Sequence, residues 1–488
     1  MENEKKLERK PHAIMVAVPA QGHLNPFVHL ALKLASKGFT VTFVQIKYVH
    51  ELVSKSHNRN EDDIFAEARD SGLDIRYTTI CDGFPIEFDR LQNYVEYWEY
   101  LLSGFSSLVD EIVGKIIESC DRFSSPLLVT DTVFSWPGII AKKYGIVNVS
   151  FWTEPALVFA TGYYWDLLRE NGHFPPKDNH EQVITYIPGI ESINTKDLLS
   201  IYHDPDINTI VHKIVFKAFE EVKKADFILH NTVQELEPHT LSTLNQNRPT
   251  YAIGPINFST ELPNINIPKS MHPETECNQW LASKPRSSVL YISFGSVVKI
   301  DKRVIDEIAR GLIMSRVDFI WAIRPKILSS NDESNVLPVG FEDEVKGRGS
   351  IVPWCNQTAV LSHEAVGGFL THCGWNSILE SICCGVPMIC YPILYDQFTN
   401  RKLVVDDWKI GINLCDGGEP VSGEGVRVKI KELMSAETSD CMRNEMKKIR
   451  NIMRGAWGES GSSKRNLDQF LKDLEEKMNK RKMGTNII

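Results

Sequence analysis

The sequence contains no long hydrophobic run. No stretch of about 18 apolar residues occurs anywhere in its 488 positions, and a transmembrane helix needs about that length. The apolar run that follows the charged first twelve residues, 13–20, has only eight residues, which fits neither a signal peptide nor an anchor. We therefore expect a cytoplasmic protein that does not insert into membranes.

Positive charge is also in short supply. The 54 lysines and arginines face 63 aspartates and glutamates, a net charge of −9, which argues against a nucleic-acid partner. None of the ten cysteines forms a C-x-x-C pair with zinc-like partners, so buried free thiols are the favoured interpretation. With 42% hydrophobic and 24% charged residues the composition is that of a globular protein, and the length fits three average domains or two large ones.

Two common nucleotide-binding motifs are missing. There is no G-x-G-x-x-G, which makes a nicotinamide or flavin dinucleotide site a weak hypothesis, and no G-x-x-x-x-G-K-[ST], which argues against a P-loop. A phosphate site in this chain therefore needs a different strand-to-helix turn.

Short apolar runs alternate with amphipathic stretches along the whole chain. Residues 13–19 predict a strand, Asn25 and Pro26 predict the cap and first position of a helix, and residues 40–46 predict the next strand, which together make a βαβ unit. Further strands are predicted at 73–77, 126–130, 147–151, 226–231, 289–293, 318–323, 350–354, 367–372 and 387–392. Later helices are predicted at 302–315, 375–384, 396–406, 424–436, 440–456 and 462–480. This alternation predicts two doubly wound parallel-sheet domains that face each other.

A composition shift divides the two series. Residues 257–276 are rich in proline and asparagine and show little periodicity, which is typical of a linker. The predicted units are a flexible tail (1–12), an N-terminal domain (13–256), the linker (257–276), a C-terminal domain (277–456) and a final helix (457–488).

Polar residues follow the predicted strands at the edge where parallel sheets bind ligands. His23 follows the first strand and Asp131 follows 126–130, so the two can meet as a general base and its orienting carboxylate. We expect the start of the helix near Asn25 to keep His23 unprotonated at neutral pH. The alternative is that His23 only caps a loop.

The segment 372–380 predicts a second strand-to-helix turn. Gly374 allows close approach of the main chain, and a helix starting near Asn376 and Ser377 offers N–H groups and hydroxyls to a phosphate. Glu380, one turn further on, can accept hydrogen bonds from ribose hydroxyls. The alternative is an ordinary helix cap with a packed Trp375.

Residues 354–397, which include the second turn, resemble a known family signature. They read WCNQTAVLSHEAVGGFLTHCGWNSILESICCGVPMICYPILYDQ, and this 44-residue segment resembles the signature box of plant secondary-product UDP-glycosyltransferases. PAQGHLNP near the start and LYISFGS at 290–296 agree with the same family. The resemblance implies a GT-B fold, in which domain 13–256 binds the acceptor, domain 277–456 binds the UDP-sugar, and the last helix crosses back to the first domain.

The resemblance also implies a role for each site residue. His23 corresponds to the catalytic base and Asp131 to its partner. Trp354 corresponds to the residue that stacks on uracil, Gln357 to a base and ribose contact, and Glu380 to the ribose acceptor. The other residues implied in donor binding are Cys355 beside Trp354, Gly374 in the turn, the diphosphate contacts Ser296, His372, Asn376 and Ser377, and the hexose contacts Trp375, Asp396, Gln397 and Thr153.

The implied function is inverting transfer of glucose from UDP-glucose to a hydroxyl or carboxyl of a small lipophilic plant metabolite, which gives a β-glucoside. No metal or other cofactor is implied, and we expect a monomer. The alternatives are another UDP-sugar donor or a catalytically silent sugar-nucleotide-binding protein. Two residues depart from the usual box: Asn356 replaces a proline, with a minor effect expected, and Tyr395 replaces a small residue and either narrows the sugar site or points outward.

Overall fold

The fold was analysed in a computed structural model. It describes residues 10–57, 63–120, 124–176, 181–258, 267, 270–329, 336–415 and 419–485. Most of the predicted tail (1–9) and much of the predicted linker (259–266, 268 and 269) lie outside the described residues.

Two parallel sheets dominate the structure. The first half of the chain forms the strands β1 Lys10–Val16, β2 Thr40–Ile46, β3 Ile75–Ile80, β4 Ser124–Asp131, β5 Val147–Trp152, β6 Val183–Ile184, β7 Ile193–Asn194, β8 Phe227–His230 and β9 Thr250–Ala252. Seven of them pair in the order β3-β2-β1-β4-β5-β8-β9, while β6 and β7 make a separate antiparallel pair. The second half forms β10 Val289–Ser293, β11 Asp318–Ala322, β12 Gly349–Val352, β13 Val366–Thr371, β14 Met388–Cys390 and β15 Gly411–Asn413, in the order β12-β11-β10-β13-β14-β15.

Helices connect the strands and cover the sheets. They are α1 Gln21–Ser36, α2 Lys47–Ser56, α3 Ala66–Asp70, α4 Tyr94–Leu102, α5 Phe105–Ser119, α6 Pro137–Tyr144, α7 Ala156–Tyr163, α8 Trp165–Glu170, α9 Ile210–Val222, α10 Pro238–Asn247, α11 Asn278–Ala282, α12 Lys302–Ser315, α13 Phe341–Glu344, α14 Gln357–Ser362, α15 Trp375–Cys384, α16 Gln397–Lys402, α17 Gly423–Met434, α18 Ala436–Ala456 and α19 Ser462–Thr485. Short 3-10 turns lie at Thr195–Asp197, Ser200–His203 and Ile256–Phe258, and a π-helical turn at Leu403–Asp407 extends α16. Every residue of β2, β5, β10 and β13 is buried, as expected for parallel strands covered on both faces. The predicted two-sheet α/β class is confirmed.

Helix α1 differs from its prediction. It begins at Gln21 rather than after Asn25, because Ala20 takes the extended cap conformation (φ −133°, ψ 144°) directly after the strand and its exit loop. Pro26 lies inside the helix, where it cannot donate to the carbonyl of Gly22 four residues earlier. Nδ2 of Asn376 donates to that carbonyl at 2.6 Å instead. His23 therefore lies in the first turn of α1, tied to the second half of the chain.

The chain passes between the two sheets twice. It leaves the first sheet after β9 and enters the second at β10, and the last helix, α19, packs against β9 and β5. Phe470 of α19 contacts Phe227 with ring centroids 5.5 Å apart, and Arg481 pairs with Asp226 at 2.7 Å. Trp457 Nε1 donates to the carbonyl of Pro255 at 3.1 Å, so the two passages lie side by side. The boundaries at 256, 277 and 456 stay predictions.

None of the helices in the described part of the chain is long and apolar enough to cross a membrane.

Candidate active site

His23 and Asp131 form a hydrogen-bonded pair. Strands β1 and β4 are neighbours in the sheet, so the start of α1 and the end of β4 lie at the same edge. His23 Nδ1 lies 2.7 Å from Asp131 Oδ2, and the other carboxylate oxygen accepts from Val133 N at 3.1 Å. Asp131 is 1% exposed and the His23 side chain is 20% exposed. Because Nδ1–H donates to the carboxylate, the lone pair of the ring is on Nε2, which has no partner among the described residues.

The hydroxyl of Thr153 and the carboxyl groups of Asp396 and Glu154 complete this corner of the site. Thr153 follows β5, the next strand in the sheet, and its Oγ lies 3.3 Å from His23 Nδ1. Burial raises the pKa of Asp396 to about 6. Burial and the charges of Asp396 and Asp131 raise the pKa of Glu154 well above its ordinary value. Sequence reasoning did not place Glu154 in the site, although its position directly after Thr153 at a strand end was a usable signal.

The pKa of His23 reflects opposing effects. Burial favours the neutral ring, but the charge and hydrogen bond of Asp131, together with the charge of Asp396, outweigh it and raise the pKa above 6.5. The net shift is opposite to the one expected from the start of the helix, because the two carboxylates lie close and one of them bonds to the ring. That His23 is unprotonated at neutral pH stays a prediction.

The start of α15 is shaped to accept an anion. Its cap residue is Gly374, which has no side chain to bond to the first-turn N–H groups, so these remain available to a ligand. Asn376 and Ser377 lie in this first turn, as predicted. Ser296 lies in the loop after β10, next to Gly295.

The position of the His372 ring explains why residues 295 and 374 are glycines. A Cβ atom on Gly374 would lie 2.6 Å from His372 Nε2, and one on Gly295 would lie 2.5 Å from the same atom. Both distances are too short for any side chain, so the two glycines let the main chain enclose the imidazole. Burial lowers the pKa of His372 to about 4, so the ring is neutral at physiological pH and acts as a hydrogen-bonding group rather than a charge.

Gln357, Ser377 and Glu380 converge on one point. Gln357 Nε2 donates to Glu380 Oε2 at 2.6 Å and to Ser377 Oγ at 2.9 Å. Asn356 caps α14, with its side-chain oxygen accepting from Ala359 N at 3.0 Å. The asparagine that replaces the usual proline therefore stabilises the helix that presents Gln357.

Trp354 and Cys355 border this group. The Trp354 ring lies 4.7 Å from the ring of His272, a residue of the predicted linker that sequence reasoning did not place in the site. The thiol of Cys355 is buried and lies 3.5 Å from the Tyr291 hydroxyl, which in turn donates to Gln357. The Cys355 side chain thus faces the protein interior.

Two of the predicted hexose residues, Asp396 and Gln397, lie at the start of α16 in the segment that follows β14, whereas Trp375 begins α15. Gln397 Oε1 accepts from the N–H groups of Ile393 and Leu394 at 2.9 and 3.0 Å, and Gln397 is buried. Trp375 is 3% exposed, and its indole donates to the carbonyl of Asn231 at 2.8 Å. Its ring is therefore packed inside the protein, against the first half of the chain.

Two other groups were considered from the sequence. The aromatic stretch 151–168 was expected either to line a pocket or to belong to the core, and every residue of α7 within it is buried. Phe159 contacts Trp152 and Phe219 at 5.5 and 5.3 Å, which places these rings in the core. All ten cysteines are free. Within the described ranges, no group of three or more His, Cys, Asp or Glu residues is arranged to hold a metal ion.

Comparison with known proteins identifies the family. The family model described as "UDP-glucoronosyl and UDP-glucosyl transferase" matches residues 204–445, and the model "Glycosyltransferase, N-terminal domain" matches residues 12–66. UDP-glycosyltransferase 86A1 of Arabidopsis thaliana is 48% identical over 480 residues, covering 97% of this chain and 96% of the relative. The 7-deoxyloganetin glucosyltransferase of Gardenia jasminoides is 35% identical over 490 residues, covering 96% and 99%.

A solved structure supports the same assignment. A complex between a UDP-glucosyltransferase from Polygonum tinctorium capable of glucosylating indoxyl and 3,4-dichloroaniline superimposes with a TM-score of 0.75 at 26% identity, covering 96% of this chain and 99% of that one. The GT-B expectation is thereby confirmed, and a catalytically silent binding protein is no longer needed as an alternative. The chain belongs to the plant UDP-glycosyltransferase family and is an enzyme that transfers a sugar from a UDP-sugar donor.

Proposed function

We propose that the enzyme transfers glucose from UDP-glucose to a hydroxyl or carboxyl group of a small lipophilic metabolite and inverts the anomeric centre. The observation that carries this proposal is the 2.7 Å bond between His23 Nδ1 and Asp131, which leaves Nε2 as the basic atom of a ring whose pKa the charge of Asp396 also raises. Glucose is favoured because a final glutamine in the signature box, here Gln397, accompanies glucose in the family that the sequence resembles. The names of two similar proteins, both glucosyltransferases, agree with this choice.

In this proposal the second half of the chain holds the donor. Trp354 stacks on uracil, Glu380 accepts bonds from the ribose, and the open start of α15 meets the diphosphate. The negative charge that develops on the departing UDP is stabilised by these N–H groups together with Ser296, Asn376 and Ser377, so the proposal requires no metal. Asp396 and Gln397 bind hydroxyls of the hexose.

In the proposal, the first half of the chain binds the acceptor and supplies the base. His23 Nε2 takes the proton of the acceptor hydroxyl while its oxygen bonds to the anomeric carbon on the face opposite UDP. The bond from that carbon to the diphosphate breaks, and UDP leaves with the electron pair. Asp131 stabilises the imidazolium that results. One displacement without a covalent intermediate converts the α-linked donor into a β-glucoside.

The test is mass spectrometry of a pooled reaction. Purified protein is incubated with UDP-glucose and a mixture of phenols, flavonoids, terpenols and aromatic acids. Parallel reactions contain UDP-galactose, UDP-xylose or UDP-glucuronate in place of UDP-glucose. We expect a hexose adduct from UDP-glucose, its loss in His23→Ala, and its retention in His239→Ala, a matched change at an exposed histidine of α10.

Two results would contradict the proposal. An adduct formed equally well by His23→Ala would remove the base assignment. Preferred transfer from another UDP-sugar would replace glucose and leave the rest of the scheme in place.

A further inference from the structure

The turn that carries the predicted hexose residues is held by the other half of the chain. We name residues 393–397 the sugar turn. The N–H of Tyr395 donates to Ser200 Oγ at 2.8 Å, and the N–H of Ser200 donates to the carbonyl of Tyr395 at 3.0 Å. These reciprocal bonds join the middle of the sugar turn to the 3-10 turn Ser200–His203 of the first half.

Two further contacts lie beside this joint. The hydroxyl of Tyr395 donates to the hydroxyl of Tyr94 on α4, across a distance of 3.3 Å. In the helix that follows the turn, Thr399 Oγ donates to the carbonyl of Asp197 at 2.6 Å, and Arg401 pairs with the Asp197 carboxylate. The Asp197 and Arg401 side chains are only 5% and 10% exposed, so water screens this ion pair weakly. We name Tyr94, Asp197 and Ser200 the clamp.

The backbone of the sugar turn depends on this support. Tyr395 has φ +58°, a left-handed conformation that residues with a Cβ adopt rarely and keep only when surrounding contacts enforce it. Gln397 Oε1 bonds to two N–H groups of the same turn, so a shift at Tyr395 moves Gln397 and the adjacent Asp396. The Tyr395 phenol contacts Tyr94 of the first half of the chain, so it does not point outward, and narrowing of the sugar site stays a prediction.

We propose that the clamp positions the sugar turn, so that the first half of the chain contributes to recognition of the donor sugar without touching it. The inference rests on the proposed function, in which Asp396 and Gln397 bind the hexose. The uridine and diphosphate residues belong to other segments of the second half, and within the described part of the chain the clamp residues form no hydrogen bond or ion pair with them. The clamp therefore acts on the sugar part of the donor alone.

Calorimetric titration with UDP and with UDP-glucose separates binding of the sugar from binding of the uridine and diphosphate. In Ser200→Ala the affinity for UDP-glucose should fall about 3- to 10-fold, the worth of one or two neutral hydrogen bonds, while the affinity for UDP stays within about twofold. Tyr395→Phe, which keeps the ring, should give a smaller change of the same kind. Ser200→Thr keeps the hydroxyl and should retain most of the affinity for UDP-glucose. Ser107→Ala, at an exposed serine on α5, should change the affinity for neither ligand.

The outcomes are distinct. Equal losses for UDP and UDP-glucose, or no loss for UDP-glucose in a variant that melts at the wild-type temperature, would overturn the inference. If Ser200→Ala failed to fold, unchanged UDP-glucose affinity in folded Tyr395→Phe and Ser200→Thr/Tyr395→Phe would overturn it as well. A wild-type protein that bound UDP but not UDP-glucose would instead refute the proposed donor, and the inference with it.

Discussion

Replacing Asp131 with asparagine tests the geometry of the proposed catalytic pair, His23 and Asp131. The two carboxylate oxygens accept from His23 Nδ1 and from Val133 N, but an asparagine offers only one oxygen. If that oxygen stays on Val133 N, the amide NH₂ faces His23 Nδ1, which must then accept a hydrogen bond. The ring proton moves to Nε2, and the lone pair that would take the acceptor proton is lost.

The size of the effect follows from the groups involved. To restore the useful tautomer, the amide must turn over and leave a buried N–H without an acceptor, at a cost of about 1–3 kcal/mol. The loss of the charged hydrogen bond to the imidazolium adds about 1.5–3 kcal/mol. Because each 1.36 kcal/mol is tenfold in rate, kcat should fall by about 10²- to 10⁴-fold. Thr153 Oγ, 3.3 Å from Nδ1, offers a weaker alternative acceptor, so Asp131→Asn/Thr153→Val should be slower still.

The pH profile provides a second readout. His23 must be neutral to accept a proton, and its pKa is raised by Asp131, so kcat/KM of the wild type should rise with pH through an apparent pKa above 6.5. Removing the carboxylate charge in Asp131→Asn should lower that apparent pKa. Rates of sugar transfer to an acceptor found in the pooled reaction measure both effects, with Asp70→Asn at an exposed helix end as the matched control. A kcat within threefold of wild type, or an unchanged pH profile, would refute this account of the pair.

Further predictions concern binding and stability. Gly374→Ala should weaken UDP binding at least tenfold by titration, because its Cβ would lie 2.6 Å from His372 Nε2, whereas Gly455→Ala, with no atom within 4 Å, should leave binding unchanged. Asn356→Ala removes the cap of α14 and should lower the free energy of unfolding by about 0.5–2 kcal/mol; an unchanged melting curve would show that the cap contributes nothing. Leu474→Ala, at a fully buried position of α19, should cost about 2–5 kcal/mol in denaturant unfolding, and a cost near zero would mean that α19 is only loosely attached.

The sequence predicted most of the fold because its signals are local. Strand β10 and helices α12 and α15 have the predicted bounds, since each combines an apolar period with a clear start or end. The strands β9 and β15 were missed because each has only three residues and is flanked closely by glycine, proline or polar residues, whereas the equally short β14 lies in a longer apolar run. Helix α1 was misplaced because proline is most often found in a first turn, and a donor 354 positions away had to replace the missing bond at Gly22.

The sequence predicted the candidate site residues and the pairing of His23 with Asp131, but not the contacts between the two halves of the chain. His23 and Asp131 could be paired from their strand ends, because neighbouring parallel strands present those ends at one edge. The rise in the pKa of His23 comes mainly from the predicted partner Asp131, and only the smaller contribution of Asp396, from the other half of the chain, could not be anticipated. The orientation of Trp375 and of the Tyr395 phenol is likewise fixed by partners, Asn231 and Tyr94, that no local pattern announces.

The double passage of the chain between its sheets limits how the enzyme can move. A single tether would let one sheet layer swing and twist freely against the other, but two tethers joined by the Trp457–Pro255 bond resist twisting and allow bending. Bending about that paired strip favours one motion, the opening and closing of the space between the layers. Because α19 packs on the first sheet, this helix travels with the half that carries His23. In the proposed mechanism, such a hinge returns His23 to the same position over the donor in each catalytic cycle, without a search of other orientations.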